Sequence, residues 1–550
     1  MTAVSSCPSR LIRPPFQGRR YLLCYIVDRL YVRPQGPMAS NFHAPYCLSW
    51  LSAAGGGLLA ALSFPPVGAG WLAPLAMAFL WAGLSRVGAR DLRSLVACGL
   101  SFGLVFMLAL LWWLEDSIGW GAWLGLSAVQ AVAVTIAVVS MRAVAQLPGG
   151  PVWAAAIWGS VEALRSSWPL GGMPWGRLGF TAIDTPWQAL LSYGGVSGAG
   201  FMITVAGFAI AHACAKRCRS AAVLLGGVCL VVVASAVWPY RVPAIDTVTV
   251  AVVQGGVPGD GRDLVAYHRQ VTRNHVEATS ELARRLTAEE RKSLALVVWP
   301  ENATAVDPIR DPLAGTEIEE AVAAIDVPLL AGSILDGPDQ STAYNRGLLW
   351  LPDGTRGGAY TKAHLVPFGE YIPWRALIEG WSSRFDRIPR DMLPGNSEGP
   401  IDVQGMLVAD AICFDVAYDD VLPIQVARGA QLAVVQTSNA TFTDTSQPEQ
   451  QFAMTRARAV ELGRSVVVAS TNGISGIIRS DGTVVQRAPA GPAATLISPV
   501  ALAEAVTPAI RLQLVRSASM YVVGALALAF ALARWSRQRR FSKLVAVAAR

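Results

Sequence analysis

Cys413 closes an apolar, strand-like run, Gly405-Met406-Leu407-Val408-Ala409-Asp410-Ala411-Ile412, and is followed by Phe414 and Asp415. A side chain at a strand end can leave the sheet and enter a cleft. Cys413 is the only cysteine between residues 239 and 516; Cys7, Cys24, Cys47, Cys98, Cys214, Cys218 and Cys229 fall in the N-terminal tail or in the hydrophobic half. An exported protein that pairs its cysteines leaves an even number, so a single one is a reactive thiol or a small buried hydrophobe.

Two further strand ends carry groups that would serve such a thiol. In Val297-Val298-Trp299-Pro300-Glu301 a buried strand runs into a proline and then a carboxylate. In a low-dielectric cleft Glu301 gains basicity, which suits a general base; the plain alternative is a solvated loop glutamate. Lys362 sits in an aromatic and Pro-rich loop, Tyr360 to Pro373. Its ammonium could stabilise an oxyanion or lower the pKa of a thiolate, with Glu370 orienting it; the alternative is a surface salt bridge worth at most about 1 kcal/mol. His364 is the nearest candidate for a papain-like partner to the cysteine. Asp415 could be a turn or cap residue, and Asp410, Asp419 and Asp420 read most simply as solvated. No metal or cofactor is indicated: His268, His275 and His364 are the only histidines of this stretch and none is spaced as a ligand pair.

These groups need a scaffold, and the composition says what kind. Mean hydropathy is +0.40, 15% of residues are charged and 18 are tryptophan, which marks a membrane protein. Apolar runs long enough to span the bilayer occur near 46–64, 68–85, 95–114, 119–140, 151–168, 189–213, 221–238 and 517–533. Loop charge tests this count independently, because Lys and Arg stay on the cytoplasmic side. The tail with Arg10, Arg13, Arg19, Arg20, Arg29 and Arg33, then Arg86, Arg90 and Arg93, then Arg142, then Lys216, Arg217 and Arg219, and finally Arg534, Arg537, Arg539, Arg540 and Lys543 fall on alternate loops. The opposite loops are uncharged, acidic (Glu115, Asp116) or mixed. The expected topology has both termini inside and residues 239–516 outside.

The expected organisation is a basic, disordered cytoplasmic tail over 1–44, seven transmembrane helices over 45–240, a catalytic domain over 241–516, and an eighth helix with a basic cytoplasmic tail over 517–550. The net charge of +7 then follows from the inside bias and anionic headgroups, and nothing calls for nucleic acid. Residues 1–37, before Met38, receive no function. In the outer segment strands are expected over 247–254, 293–299, 327–334, 347–351, 407–413, 432–437 and 466–470, with helices over 263–286 and 447–462. Strands recurring with helices between them imply a layered α/β fold with buried sheets and functional groups at strand ends.

Glu, Lys and Cys at successive strand ends, in that order, resemble the apolipoprotein N-acyltransferases, membrane members of the nitrilase superfamily. The motifs are W-P-E at Trp299 to Glu301, K-x-H-L-V-P-F-G-E-Y at Lys362 to Tyr371, and Cys413-Phe414-Asp415; Phe64-Pro65 and Glu162, Arg165 and Pro174-Trp175 match that family's membrane half. The resemblance implies a four-layer α-β-β-α domain with CN-hydrolase character on the outer face of an eight-helix bundle. It puts Cys413 in the nucleophile's position, Glu301 in the base's, Lys362 in the oxyanion-stabilising one and Glu370 in that of a supporting acid. The implied reaction moves an acyl chain from a glycerophospholipid, through a cysteine thioester, to the α-amino group of a lipoprotein's S-diacylglyceryl N-terminal cysteine.

Phe368, Tyr371, Phe414, Asp415 and Phe442 are the expected substrate contacts, and Trp374 and Trp381 read as core or interfacial residues. Phe414 and Asp415 replace the tyrosine and glutamate of many members, and Phe442 stands where tryptophan is commoner. Glu162 and Arg165, one helical turn apart, are either a contact to the catalytic domain or phosphate headgroups, or an internal ion pair. Two rivals stay open: a nitrilase-type hydrolase that passes the acyl group to water, and a scaffold for a polyprenyl-phosphate mannosyltransferase.

Overall fold

The computed structural model describes residues 44–548 except 89–90, 259–266, 305, 382–384, 386–387, 397–398 and 492. The basic N-terminal tail with Met38, Arg90, the start of the helix expected from residue 263, and the side chains of Trp381, Arg534, Arg537, Arg539, Arg540 and Lys543 lie outside the described residues.

Helices stand at each of the expected span positions: α1 (Ala44–Leu62), α2 (Ala73–Arg86), α3 (Leu92–Leu110), α4 (Trp120–Val144), α5 (Gly150–Arg165), α6 (Leu190–Cys214), α7 (Cys218–Val237) and a last helix, Gln513–Ala548. Among the described residues four of them, α3, α4, α6 and α7, are long and apolar enough to cross a membrane alone, and the apolar stretches Cys47–Leu62 and Tyr521–Ala533 are shorter. The expected eight full-length spans are therefore corrected to four by this measure. With 14 residues, α2 reaches only about 21 Å against about 30 Å of hydrocarbon. The helices approach closely through small residues: a Cβ on Gly57 of α1 would lie 2.4 Å from the Phe102 carbonyl oxygen of α3.

The polar segment holds, in chain order, β1 (Asp246–Gln254), α8 (His268–Arg285), β2 (Leu294–Val298), α9 (Pro312–Ile325), β3 (Leu329–Asp336), β4 (Thr342–Trp350), β5 (Arg356–Thr361), β6 (Asp391–Met392), β7 (Ile401–Val403) and β8 (Met406–Ile412). It continues with α10 (Leu422–Ala427), β9 (Leu432–Thr437), α11 (Gln447–Leu462), β10 (Val466–Ser470), β11 (Gly476–Ile478), β12 (Val484–Arg487) and β13 (Ala494–Leu502). One sheet runs β13-β1-β2-β3-β4-β5 with β6 beside β4; the other runs β12-β11-β10-β9-β8-β7. The centres, β1-β2-β3 and β8-β9-β10, are parallel and their Val- and Ala-rich residues are buried on both faces, while the flanking pairs are antiparallel. Each fully buried Val or Leu contributes roughly 1.5–3 kcal/mol.

Leu282 of α8 and Ile318 of α9 pack with Val297 and Leu329 on the outer face of the first sheet, and α10 and α11 lie against β8 and β10 of the second. The inner faces meet directly: Gln436 of β9 reaches across to the carbonyl of Trp299 at the end of β2. This is the α-β-β-α layering that the resemblance implied. The pattern reading overlooked β5 to β7 and β11 to β13, which are short, Gly-bearing or half exposed, and the helices α10 and α9, the latter begun by Asp311 accepting from the Ala314 amide.

Candidate active site

β8 ends at Ile412, and Cys413 opens a 3-10 turn, Cys413–Ala417, with φ +54°. That left-handed conformation costs a residue with a Cβ roughly 1–2 kcal/mol, so the turn must be held from outside. Asp415 holds it. Its Oδ2 accepts from the Ile412 amide at 3.2 Å and the Tyr360 hydroxyl at 2.8 Å, and its Oδ1 accepts from the His364 amide at 2.9 Å. Asp415 is completely buried, so the expectation that it touches substrate is corrected: both oxygens tie the cysteine turn to the lysine loop.

Lys362 follows the end of β5 and is 1% exposed. An ammonium in that position needs paired charge and satisfied donors. Its Nζ donates to Glu301 Oε1 at 3.1 Å and to Glu370 Oε1 at 3.0 Å. Asn345 of β4 donates to the same two oxygens, at 2.8 and 3.1 Å. The outer oxygens are fixed by backbone amides, Ser438 N on Glu301 Oε2 and Val366 N on Glu370 Oε2, both at 2.8 Å. Burial opposes the Lys362 ammonium, but Glu301 and then Glu370 outweigh it and its pKa stands well above the ordinary lysine value. The surface salt bridge is thereby ruled out, and Glu301 is no solvated loop residue, being 4% exposed.

The Cys413 thiol is half-buried beside this cluster. Burial, then the Glu301 carboxylate, push its pKa up to about 12, against the pull of Lys362 and a hydrogen bond with Thr437. These effects favour the neutral thiol, and Glu301 is the carboxylate beside it. His364 does not serve: its ring stacks on Tyr418 with centroids 3.6 Å apart, and its Nε2 meets Asp420 at 2.8 Å.

The expected aromatic contacts divide. Phe414 stacks on Trp175 at 6.1 Å, and Phe442 meets Trp113 edge-on at 5.2 Å. Both tryptophans come from the helical half, and their indole N–H groups donate to Gln450 Oε1 of α11. Gln450 in turn donates to the carbonyls of Pro65 and Leu110, so one amide seats the catalytic layer on the bundle. Phe368, at φ +61° and 40% exposed, stacks on Phe385 instead, and Tyr371 is half-buried beside it in the loop. Trp374 is 66% exposed, so it is not a core residue.

Glu162 and Arg165 do not reach lipid headgroups. Glu162 accepts from the Leu178 amide, and Arg165 donates to Gln130 and to the carbonyls of Met173 and Trp175, fixing the loop that carries Trp175. Asp410 and Asp419 are not solvated either: Asp410 is completely buried, and Asp419 pairs with Arg177 and Arg458. The sequence reading missed Asn345, Ser438, Tyr360 and Gln450. Asn345 left one signal, an amide inside a strand with an apolar end; Ser438 acts through its backbone, which no side-chain pattern reveals. Among the described residues no three His, Cys, Asp or Glu side chains converge as a metal site.

Residues 56–209 match the apolipoprotein N-acyltransferase N-terminal domain, and residues 249–507 match the carbon-nitrogen hydrolase domain. An apolipoprotein N-acyltransferase of Mycolicibacterium smegmatis is 33% identical over 88% of this chain and 85% of its own length. One from Pseudomonas aeruginosa is 30% identical over 61% of this chain and 65% of its length. Nit3 of Saccharomyces cerevisiae, a member of branch 10 of the nitrilase superfamily, aligns with a TM-score of 0.35 and 17% identity over 47% of this chain and 91% of that one. This is a bacterial membrane enzyme of lipoprotein N-acylation, and the chain belongs to the apolipoprotein N-acyltransferase family of the nitrilase superfamily.

Proposed function

We propose that Cys413 takes an acyl chain from a glycerophospholipid as a thioester and delivers it to the α-amino group of a diacylglyceryl-cysteine N-terminus. Glu301 accepts the thiol proton as sulfur attacks the ester carbonyl. The carbonyl oxygen becomes an oxyanion beside the Lys362 ammonium, which Glu370 and Glu301 hold in place. Collapse breaks the ester C–O bond, and the leaving alkoxide takes the proton from Glu301, giving a lysophospholipid. In the second half the lipoprotein amine attacks the thioester, its proton passes to Glu301, and the C–S bond breaks. The thiolate then recovers its proton from Glu301.

The observation that carries this reading is the ammonium clamped between two carboxylates next to a half-buried thiol. The aromatic seam of Phe414, Trp175, Trp113 and Phe442 supports a lipid-facing site from which water is kept, as a thioester requires. We further propose a multi-pass arrangement with both termini cytoplasmic and the sheets on the outer side, on the alternation of basic loops. The domain limits are those expected above, 1–44, 45–240, 241–516 and 517–550. Scaffolding of a polyprenyl-phosphate mannosyltransferase finds no support in the matches and is not proposed. Incubating the full-length enzyme with phospholipid and a diacylglyceryl peptide should yield lysophospholipid and triacylated peptide together. Free fatty acid with no acylated peptide would show a hydrolase instead.

A further inference from the structure

Asp410, three residues before Cys413 on β8, is completely buried, and among the described residues neither carboxyl oxygen has a hydrogen-bond partner of good geometry. The side-chain oxygen of Gln436 on the neighbouring strand β9 is also unpartnered. The two acceptors converge over Gly347 of β4: a Cβ there would lie 2.1 Å from Asp410 Oδ2 and 2.5 Å from Gln436 Oε1. The orientation of the Gln436 amide is fixed, because its Nε2 donates to the Trp299 carbonyl at 2.6 Å and reaches the Leu330 carbonyl at 3.4 Å. Turning it over would set its oxygen against two carbonyl oxygens. An ionised Asp410 would then face an amide oxygen in a buried seam where, among the described residues, only the adjacent Ala411 amide is near it as a donor, whereas a protonated one supplies the missing O–H. Burial, and then the Asp415 carboxylate, outweigh the Ala411 amide and drive the Asp410 pKa well above the ordinary range, in the same direction.

We propose that Asp410 is a neutral carboxylic acid that donates its O–H to Gln436 Oε1 and acts as a positioning residue for the acyl-transfer site. Its strand delivers Cys413. Gln436 holds the carbonyl of Trp299, two residues before Glu301, and Ser438, two residues after Gln436, donates its amide to Glu301. The Asp410 backbone is itself clamped by Gln425 of α10, at 2.9 Å through its amide and 2.7 Å through its carbonyl. One proton between the sheets thus joins the strand of the nucleophile to the strand end of the base. The positioning role rests on reading Glu301 as the base; the protonation does not.

Infrared spectroscopy of the full-length protein carrying carboxyl-labelled aspartate tests the protonation. Subtracting Asp410→Asn from wild type at neutral pH should leave a carboxylic-acid C=O band that shifts in D2O; loss of a carboxylate band instead would overturn the proposal. Should Asp410→Asn not fold, Asp410→Ser, whose hydroxyl can also donate, replaces it in the subtraction. In acyl transfer Asp410→Asn, whose N–H can donate to Gln436, should keep kcat within about twofold, while Asp410→Leu should lose about tenfold at unchanged KM. Equal kcat in the Asn and Leu variants would remove the positioning role. The band is read without any acyl transfer, so failure of the reading of Glu301 would leave that result standing.

Discussion

Two buried ionic clusters meet the Cys413–Ala417 turn, and they differ in how their charge is balanced. In one, every guanidinium nitrogen of the fully buried Arg458 is engaged, by the carbonyls of Val416, Ala417 and Tyr418 and by Asp419 and Glu461. Arg177, from the loop between α5 and α6, also donates to Asp419 at 2.8 Å. Two cations face two carboxylates across the seam between the helical half and the sheets. In the other, one ammonium serves two carboxylates, and a neutral thiol stands beside them. The balanced cluster holds the turn; the cluster with one negative charge in excess can accept the proton that the thiol must give up.

The comparison breaks most sharply at its two cations. Lys362→Met removes the ammonium proposed to face the oxyanion, and kcat for lysophospholipid release should fall by about 10²–10³. A variant that only melts earlier, with kcat kept, would make Lys362 a structural residue. Arg458→Met should show the reverse weighting, a loss of about 3–5 kcal/mol in unfolding free energy, because Glu461 and Asp419 each lose a buried cation, Asp419 keeping Arg177, and the carbonyls of Val416, Ala417 and Tyr418 lose their donor. Denaturant unfolding in detergent measures it, and an unchanged midpoint would contradict the role given to Arg458.

A smaller effect sharpens the contrast from the side of the thiol. Its pKa, raised to about 12 by burial and then Glu301, means that the thiolate fraction is minor at neutral pH and grows about tenfold per pH unit up to that value. In a variant lacking the other cysteines, alkylation of Cys413 should therefore keep accelerating above pH 9. A plateau near neutrality would reveal a preformed thiolate and remove the need for a base.

Much of this candidate site was legible in the sequence because the groups proposed to react sit at the ends of apolar strands. Leu294–Val298 and Met406–Ile412 are buried on both faces, so their β-branched and alanine-rich runs stand out, and Glu301 and Cys413 follow directly. The support was not legible. Asp415 read as a substrate contact because its spacing from Cys413 says nothing about Tyr360, which comes from another strand and completes its shell. Asp410 read as solvated because a carboxylate in a strand is ordinarily exposed; only the first sheet, brought over it by the fold, removes the water. The membrane count erred where helices are short: α2 and α5 gain their place from neighbours such as α6, not from their own length.

The central claim is that the acyl chain is carried on Cys413 with Glu301 as the base. Intact-protein and peptide mass spectrometry after mixing the enzyme with phospholipid alone tests it most directly. One acyl mass should appear on the peptide containing Cys413, be absent from Cys413→Ala, and form at least about 10²-fold more slowly in Glu301→Gln. An acyl mass on another residue, or an undiminished rate in Glu301→Gln, would contradict the account.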